Sequence, residues 1–168
     1  MRVLNALADA GIRHCEEPIP RWQFMEMHRV KEASPTPTMA DEGCCDEHDT
    51  ERLSALGSCQ RFNIKLGKSG GLFKARKITA SVEREGMEVQ IGGFLEARPA
   101  FTASAHLALT SNCIRYCDMD TALMVTADAV LGGMQVCLGG RISLPDTTGL
   151  GATVDVAYIY PALRITVA

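Results

Sequence analysis

Acidic and basic residues stand where successive predicted strands end. Their positions, in chain order, are Glu16-Glu17, Asp41-Glu42, Lys65, Glu96 and Asp118-Met119-Asp120. Because parallel strands present their carboxyl ends at one edge of a sheet, we expect these side chains to lie close together. Two carboxylates from neighbouring strand ends can share a hard cation such as Mg²⁺, which prefers oxygen ligands.

A lysine beside such a cation has its ammonium form disfavoured, so Lys65 could act as a base near neutral pH. The cation would stabilise the enediolate that forms when a proton leaves a carbon next to a carboxylate. A single Asp-Glu pair is typical of a solvated loop. The recurrence of charged residues at one structural position instead indicates a site.

The elements that must position these residues alternate between short apolar strands and amphipathic helices, which is typical of an α/β fold with parallel strands. Strands are predicted near 12–16, 37–41, 61–66, 87–91 and 113–117. Helices are predicted near 1–10, 20–33, 47–56, 72–85 and 98–110. The helical spacing predicts that Leu53 and Leu56 point inward, as do Leu72, Ala75, Ile78 and Val82.

The alternation stops after Asp120. Residues 134–144, with Gly139-Gly140 at the centre, predict a hairpin, and residues 153–167 predict a final strand. Five strands cannot close an eight-stranded barrel, and the first element is a helix with no strand before it. We therefore expect the chain to begin inside a larger fold, with a β/α unit over 1–125 and a hairpin and tail over 126–168.

Composition excludes several classes of function. The net charge is −3, without a basic patch interleaved with aromatics, so nucleic acid is not an expected partner. The apolar runs are too short to span a membrane, and no signal peptide is evident. Seven cysteines at irregular spacing, with no CxxC pair, favour reduced thiols in a cytoplasmic enzyme over a disulfide framework or a zinc site.

Several motifs together resemble a known family. They are Cys15-Glu16-Glu17-Pro18, Met39-Ala40-Asp41-Glu42, Asn63-Ile64-Lys65-Leu66-Gly67-Lys68-Ser69-Gly70-Gly71, Gly92-Gly93-Phe94-Leu95-Glu96 and Asp118-Met119-Asp120. About 25 residues separate Glu16 from Asp41 and Asp41 from Lys65. The set resembles strands four to eight of the mandelate racemase and muconate lactonizing branch of the enolase superfamily. The Asp-Met-Asp motif and the C-terminal hairpin are similar to those of dipeptide epimerases.

This resemblance implies a partial (β/α)8 TIM barrel, about strands 4–8 with their helices, followed by a C-terminal β-hairpin tail. It implies Mg²⁺ as cofactor, with Glu16 and Asp41 as two of three ligands and Lys65 as the acid/base that moves the α-proton. Asp118 and Asp120 would bind the α-ammonium group of a dipeptide substrate.

The resemblance also implies roles for residues around this centre. Glu96 would line the site without touching the metal. Glu17, Glu42 and Lys68 are candidates for orienting the ligands from behind, and for Glu17 and Lys68 a solvated charge is the alternative.

The family's third carboxylate ligand, its Lys-x-Lys strand and its capping domain have no counterpart in the sequence. We therefore expect the isolated chain not to epimerise. Two alternatives stay open: another enolase-superfamily enzyme, such as a muconate-type cycloisomerase or an o-succinylbenzoate synthase, or a non-catalytic half-barrel that needs a partner. That partner would be a second copy in a homo-oligomer, or the missing N-terminal half.

Overall fold

The centre of the fold is a sheet of five parallel strands. The structure, a computed structural model, describes residues 1–160. The strands are β1 (Cys15–Glu16), β2 (Thr38–Ala40), β3 (Arg61–Lys65), β4 (Glu88–Gly92) and β5 (Ile114–Cys117). Their spatial order follows the chain, and every neighbouring pair is parallel. The predicted α/β fold with parallel strands is confirmed, although most strands are shorter than predicted.

Helices connect the strands. They are α1 (Arg2–Ala6), α2 (Met27–Ala33), α3 (Glu47–Ala55), α4 (Leu66–Ser69), α5 (Leu72–Arg84) and α6 (Arg98–Ala108), and a 3₁₀ turn, Arg21–Glu26, precedes α2. The side chain of Asp46 accepts a hydrogen bond from the Asp49 backbone and so caps the start of α3. The sequence analysis did not predict α4, which follows β3 directly and ends at Gly70 with a left-handed φ of 75°.

The hydrophobic core lies between the sheet and helices α3, α5 and α6. Its members include Leu53, Phe62, Ile64, Ala75, Ile78, Val82, Val89, Ile91, Phe101 and Leu107, each no more than 1% exposed. Two predicted core positions are wrong: Leu56 is 38% exposed and Leu72 is 42% exposed. Each stands at the end of a helix, beyond the turns that pack on the sheet.

The opposite face of the sheet is polar. In β3, Arg61, Asn63 and Lys65 alternate with the buried residues Phe62 and Ile64, since successive side chains of a strand point to opposite faces. Near the amino ends of the strands, Arg61 Nε donates to the carboxylate of Glu88 in β4 at 2.6 Å. The sheet therefore has one apolar face under the helices and one polar face that can carry a site.

The C-terminal part contains two small antiparallel pairs and a short helix. Strand β6 (Val130–Gly132) pairs with β9 (Ala152–Val154), and β7 (Gln135–Val136) pairs with β8 (Ile142–Ser143). The predicted hairpin is confirmed. Of the predicted strand over 153–167, residues 153–154 are confirmed as part of β9, and the remainder of the described residues is not a strand, because α7 (Val156–Ile159) follows. Asp155 favours this helix because its side chain accepts the Ala157 N–H. Residues 161–167 of that prediction lie outside the described residues.

This segment is joined to α6 by polar contacts and by packing. Arg98 donates to Asp128 Oδ2 at 2.5 Å and to the carbonyl oxygens of Gly132 and Val130 at 2.9 and 3.0 Å. Met134 is 1% exposed and belongs to the main core. At the other terminus, α1 covers only part of the predicted helix over 1–10, and none of its residues is buried. Within residues 1–160, no helix has the length and apolar character needed to cross a membrane.

Candidate active site

Three charged side chains converge at the carboxyl edge of the sheet. Asp41 follows β2, Lys65 ends β3 and Lys68 lies in α4. The carboxylate of Asp41 accepts from Lys65 Nζ at Oδ2, and Lys68 Nζ lies 2.6 Å from its Oδ1. Asp41 is only 2% exposed. Both oxygens of a buried carboxylate are thus paired with ammonium groups from the neighbouring strand and its helix.

The carboxylate of Glu16 lies beside Asp41. Its Oε1 accepts from Asn63 Nδ2 at 2.9 Å, and its Oε2 accepts from Gln90 Nε2 at 3.1 Å. Burial, followed by a hydrogen bond with Asp41, raises the pKa of Glu16. Burial also acts to raise the pKa of Asp41, but that hydrogen bond and the two lysines lower it to about 2. The mutual effect on pKa shows that the two predicted ligands lie beside each other.

Lys65 is held as an ammonium ion by its surroundings. Its Nζ lies 3.3 Å from Glu42 Oε1 and 5.3 Å from the centre of the Phe94 ring. Burial acts to lower the pKa of Lys65, but the carboxylates of Asp41 and Glu42 outweigh it and raise the pKa. The described residues do not by themselves prepare Lys65 as a base near neutral pH. The lowering expected in the sequence analysis depends on a cation.

Asp118 and Asp120 form an exposed acidic pair just after β5. Burial, followed by the charge of Asp120 and a hydrogen bond with it, raises the pKa of Asp118, and the charge of Lys65 acts to lower it. The two carboxylates are therefore near each other and in the electrostatic field of Lys65. A pair of acids at the open edge of the site can bind a cationic group of a ligand.

Among the described residues, Glu96 forms no ion pair with these groups. The Glu96 carboxylate lies close to two glycines: a Cβ atom added to Gly67 would be 3.3 Å from Glu96 Oε1, and one added to Gly93 would be 3.4 Å from Glu96 Oε2. Among the described residues, no hydrogen-bond partner reaches the buried Oε2, and no ion pair joins Glu96 to Lys65. Its carboxylate thus occupies the space beside the β3–α4 junction.

The three residues predicted to orient the ligands differ in burial. Glu17 Oε2 accepts the Asp41 N–H at 2.7 Å, and the Lys68 side chain is 6% exposed. Both side chains are thus in direct contact with Asp41. Glu42 has a side chain that is 48% exposed and lies over Lys65.

An oxygen-only donor set from two carboxylates suits Mg²⁺, which is commonly bound through one or two carboxylates and keeps several waters. Each Glu16 oxygen accepts one amide N–H and keeps a second lone pair. Within residues 1–160, no group of three or more His, Cys, Asp or Glu side chains forms a metal-binding cluster. Glu16 and Asp41 therefore fit as part of a magnesium site.

Comparison with known protein families decides what the chain is related to. Residues 1–158 match the enolase C-terminal domain-like family. The chain belongs to this family.

Curated relatives and solved structures agree with this assignment. The D-Ala-D/L-Ala epimerase of Cytophaga hutchinsonii is 44% identical over 159 residues, which are 95% of this chain and 43% of the relative. A dipeptide epimerase from Cytophaga hutchinsonii, complexed with Mg and the dipeptide D-Ala-L-Val, matches with a TM-score of 0.92 and 44% identity. That match covers 95% of this chain and 43% of the other.

The muconate lactonizing enzyme from Pseudomonas putida also matches, with a TM-score of 0.88 and 29% identity over 95% of this chain and 44% of that enzyme. The chain thus spans less than half the length of the relatives it matches. The predicted family resemblance is confirmed, and the family includes epimerases and racemases.

Two polar residues of this enolase-type sheet were missed in the sequence analysis. Asn63 and Gln90 both donate to Glu16 and are 1% and 6% exposed. Each lies in the middle of a strand, between apolar residues that face the core. A polar residue at such an alternate position faces the opposite side of the sheet, and this signal could have identified both.

Proposed function

We propose that the chain is the metal-binding, one-base part of a Mg²⁺-dependent dipeptide epimerase. In this proposal the five-stranded sheet is part of a (β/α)8 barrel that includes about strands 4–8. Residues 1–125 form the barrel part, and residues 126–168 form a tail that packs on a capping domain. The convergence of Glu16, Asp41 and Lys65 at one edge of the parallel sheet carries the proposal.

Each residue at this edge has a distinct task. Glu16 and Asp41 would hold the cation, which when bound stabilises the negative charge that develops on the substrate carboxylate. Lys65 would be the acid/base on one face of the α-carbon, where it would take the α-proton from one epimer or donate a proton to form it, and a second base would do the same on the opposite face. Asp118 and Asp120 would hold the α-ammonium group through charge-assisted hydrogen bonds.

Cation binding can be tested on the chain itself. Mn²⁺, a paramagnetic substitute for Mg²⁺, would be titrated into the wild type, Glu16→Gln and Asp41→Asn, with free Mn²⁺ measured by electron paramagnetic resonance. We expect saturable binding in the wild type and its loss in both variants. Glu26→Gln is the matched control and should bind as the wild type does, because Glu26 is exposed and, among the described residues, pairs with Arg29 on the same helical turn. Equal binding by all four proteins would refute the proposed site.

The substrate class can be tested at the acidic pair. A dipeptide and its N-acetyl analogue would be titrated by NMR, in the presence of Mg²⁺, into the wild type, Asp118→Asn and Asp146→Asn. We expect Asp118→Asn to weaken the free dipeptide selectively, since the N-acetyl analogue carries no ammonium charge. Asp146 is exposed and serves as the control. Equal weakening of both ligands would favour a cycloisomerase or an o-succinylbenzoate synthase, whose substrates lack this group.

The open edges of the sheet favour a second candidate, a half-barrel that needs a partner. Among the described residues, β1 pairs only with β2, and β5 pairs only with β4. Unpaired strand edges are sites of association. Light scattering across a concentration series distinguishes the outcomes: a monomer with cooperative unfolding at every concentration would argue against a self-associating half-barrel.

A further inference from the structure

Every polar group of the Asp41 residue is held by a neighbour. Its N–H donates to Glu17 Oε2 at 2.7 Å. Its carbonyl oxygen accepts from Lys68 Nζ and from the Cys44 N–H. Its two carboxylate oxygens accept from Lys68 and Lys65. The residue is therefore fixed through its backbone as well as through its side chain.

Glu17 makes its part of this contact from a strained conformation. It is the one residue other than glycine with a positive φ within residues 1–160, at 37°. Such a conformation costs on the order of 1–3 kcal/mol and persists only where its surroundings enforce it. Its carboxylate also accepts the Gly43 N–H at 3.4 Å, and a side-chain carbon on Gly43 would stand 3.3 Å from Oε1. The end of β1 is thus joined to the loop that follows β2.

Lys68 approaches the same residue from the opposite side. Its ammonium group donates to the Asp41 carbonyl, to Asp41 Oδ1 at 2.6 Å and to the Asn63 carbonyl at 2.9 Å. An ammonium ion has three protons, and all three have acceptors at this position. With its side chain 6% exposed, Lys68 is enclosed rather than available to a substrate.

We propose that Glu17 and Lys68 are positioning residues that hold Asp41 between β1 and β3 with its carboxylate directed at the cation site. This inference rests on the proposed function. Neither residue binds the cation or the substrate. Glu17 fixes the Asp41 N–H, Lys68 fixes its carbonyl and one carboxylate oxygen, and Lys65 alone remains to act on the substrate.

Positioning and simple charge effects predict different results for substitutions at Lys68 and at Glu17. If Lys68 acted only as a nearby positive charge, Lys68→Met would strengthen cation binding by removing repulsion. If it positions Asp41, Lys68→Met weakens binding, as loss of groups that orient metal ligands typically costs about 10–100-fold in affinity. If Glu17 acted only as a negative charge, Glu17→Gln and Glu17→Ala would weaken binding equally. If it positions Asp41, only Glu17→Ala does so, because a glutamine oxygen still accepts the Asp41 N–H.

The test is the Mn²⁺ titration of the full chain with these variants. We expect Lys68→Met and Glu17→Ala to bind about tenfold more weakly, and Glu17→Gln to stay within about twofold of the wild type. Lys77→Met, which removes an exposed lysine, is the control. Tighter binding by Lys68→Met, or equal losses for the two Glu17 variants, would overturn the proposal while leaving the cation site intact. If Glu16→Gln bound Mn²⁺ as tightly as the wild type does, the proposed function would be overturned, and this inference with it.

A second measurement requires no cation. Hydrogen–deuterium exchange at the Asp41 and Gly43 amides would be followed by NMR in the wild type, Glu17→Gln and Glu17→Ala. We expect faster exchange at these two amides only in Glu17→Ala, since it removes their acceptor. Unchanged exchange in Glu17→Ala would show that the contact does not hold Asp41. This readout decides the Glu17 half of the proposal even if Lys68→Met fails to fold.

Discussion

Replacing Asp41 with Asn should destabilise the chain even when no cation is present. The carboxylate is 3% exposed and pairs with two lysines whose side chains are 12% and 6% exposed. Removing one partner of a buried ion pair costs about 3–5 kcal/mol because it leaves uncompensated charge. Lys65 keeps Glu42, and Lys68 keeps two carbonyl oxygens. We therefore expect the lower end, a loss of about 3 kcal/mol in the free energy of unfolding.

Urea unfolding followed by circular dichroism, with EDTA present, measures this loss. Asp118→Asn is the matched control: it makes the same chemical change at an exposed position, where substitutions usually change stability by less than about 0.5 kcal/mol. The competing view is that Asp41 is a strained metal ligand that repels Glu16, so that its removal would stabilise the apo chain. A raised urea midpoint for Asp41→Asn would support that view and refute the expected loss.

Three further predictions concern the core, the thiols and the activity of the chain. Met134→Ala should lower the free energy of unfolding by about 2–5 kcal/mol, whereas Leu138→Ala, at a residue that is 100% exposed, should change it little. Two separate unfolding transitions would contradict this, because residues 126–160 would then unfold independently of the sheet. Burial raises the pKa of Cys59 to about 12 and of Cys44 to about 11 from 9.0. Because the unfolded thiols ionise first, the urea midpoint should fall as the pH rises above about 9, and a flat profile would contradict this. The isolated chain should leave an L,L-dipeptide unchanged by chiral chromatography, and product formation would contradict this.

The position of the site could be predicted from the sequence because strand geometry determines it. Glu16, Asp41 and Lys65 follow or end successive parallel strands, so their side chains meet at one edge whatever the details of the helices. The structure places Asp41 and Lys65 in direct contact and Glu16 beside them. The roles of these residues remain a proposal, but the order of the elements and the spacing of the charged residues were enough to predict that they lie close together.

The direction of individual side chains could not be predicted in the same way. Glu17 follows Glu16 directly, and the sequence allowed it to be either solvated or oriented toward the ligands. Its backbone conformation, with φ of 37°, turns the side chain toward the next loop, and no local pattern signals that turn. Leu56 and Leu72 fit the helical periodicity but lie at helix ends, where periodicity does not show whether the sheet reaches that far.

The charge balance at this edge accounts for the further acidic residues beside the carboxylate–lysine cluster. When both carboxyl groups are ionised, the two negative charges of Glu16 and Asp41 balance the two positive charges of Lys65 and Lys68, so the group is neutral without a cation. A divalent ion among them would leave two positive charges uncompensated, which is costly away from bulk water. The exposed Glu42 and the Asp118–Asp120 pair lie at the same edge and oppose that excess, as would a substrate carboxylate. Loss of the Lys65 proton would relieve it further, which is the state a base requires.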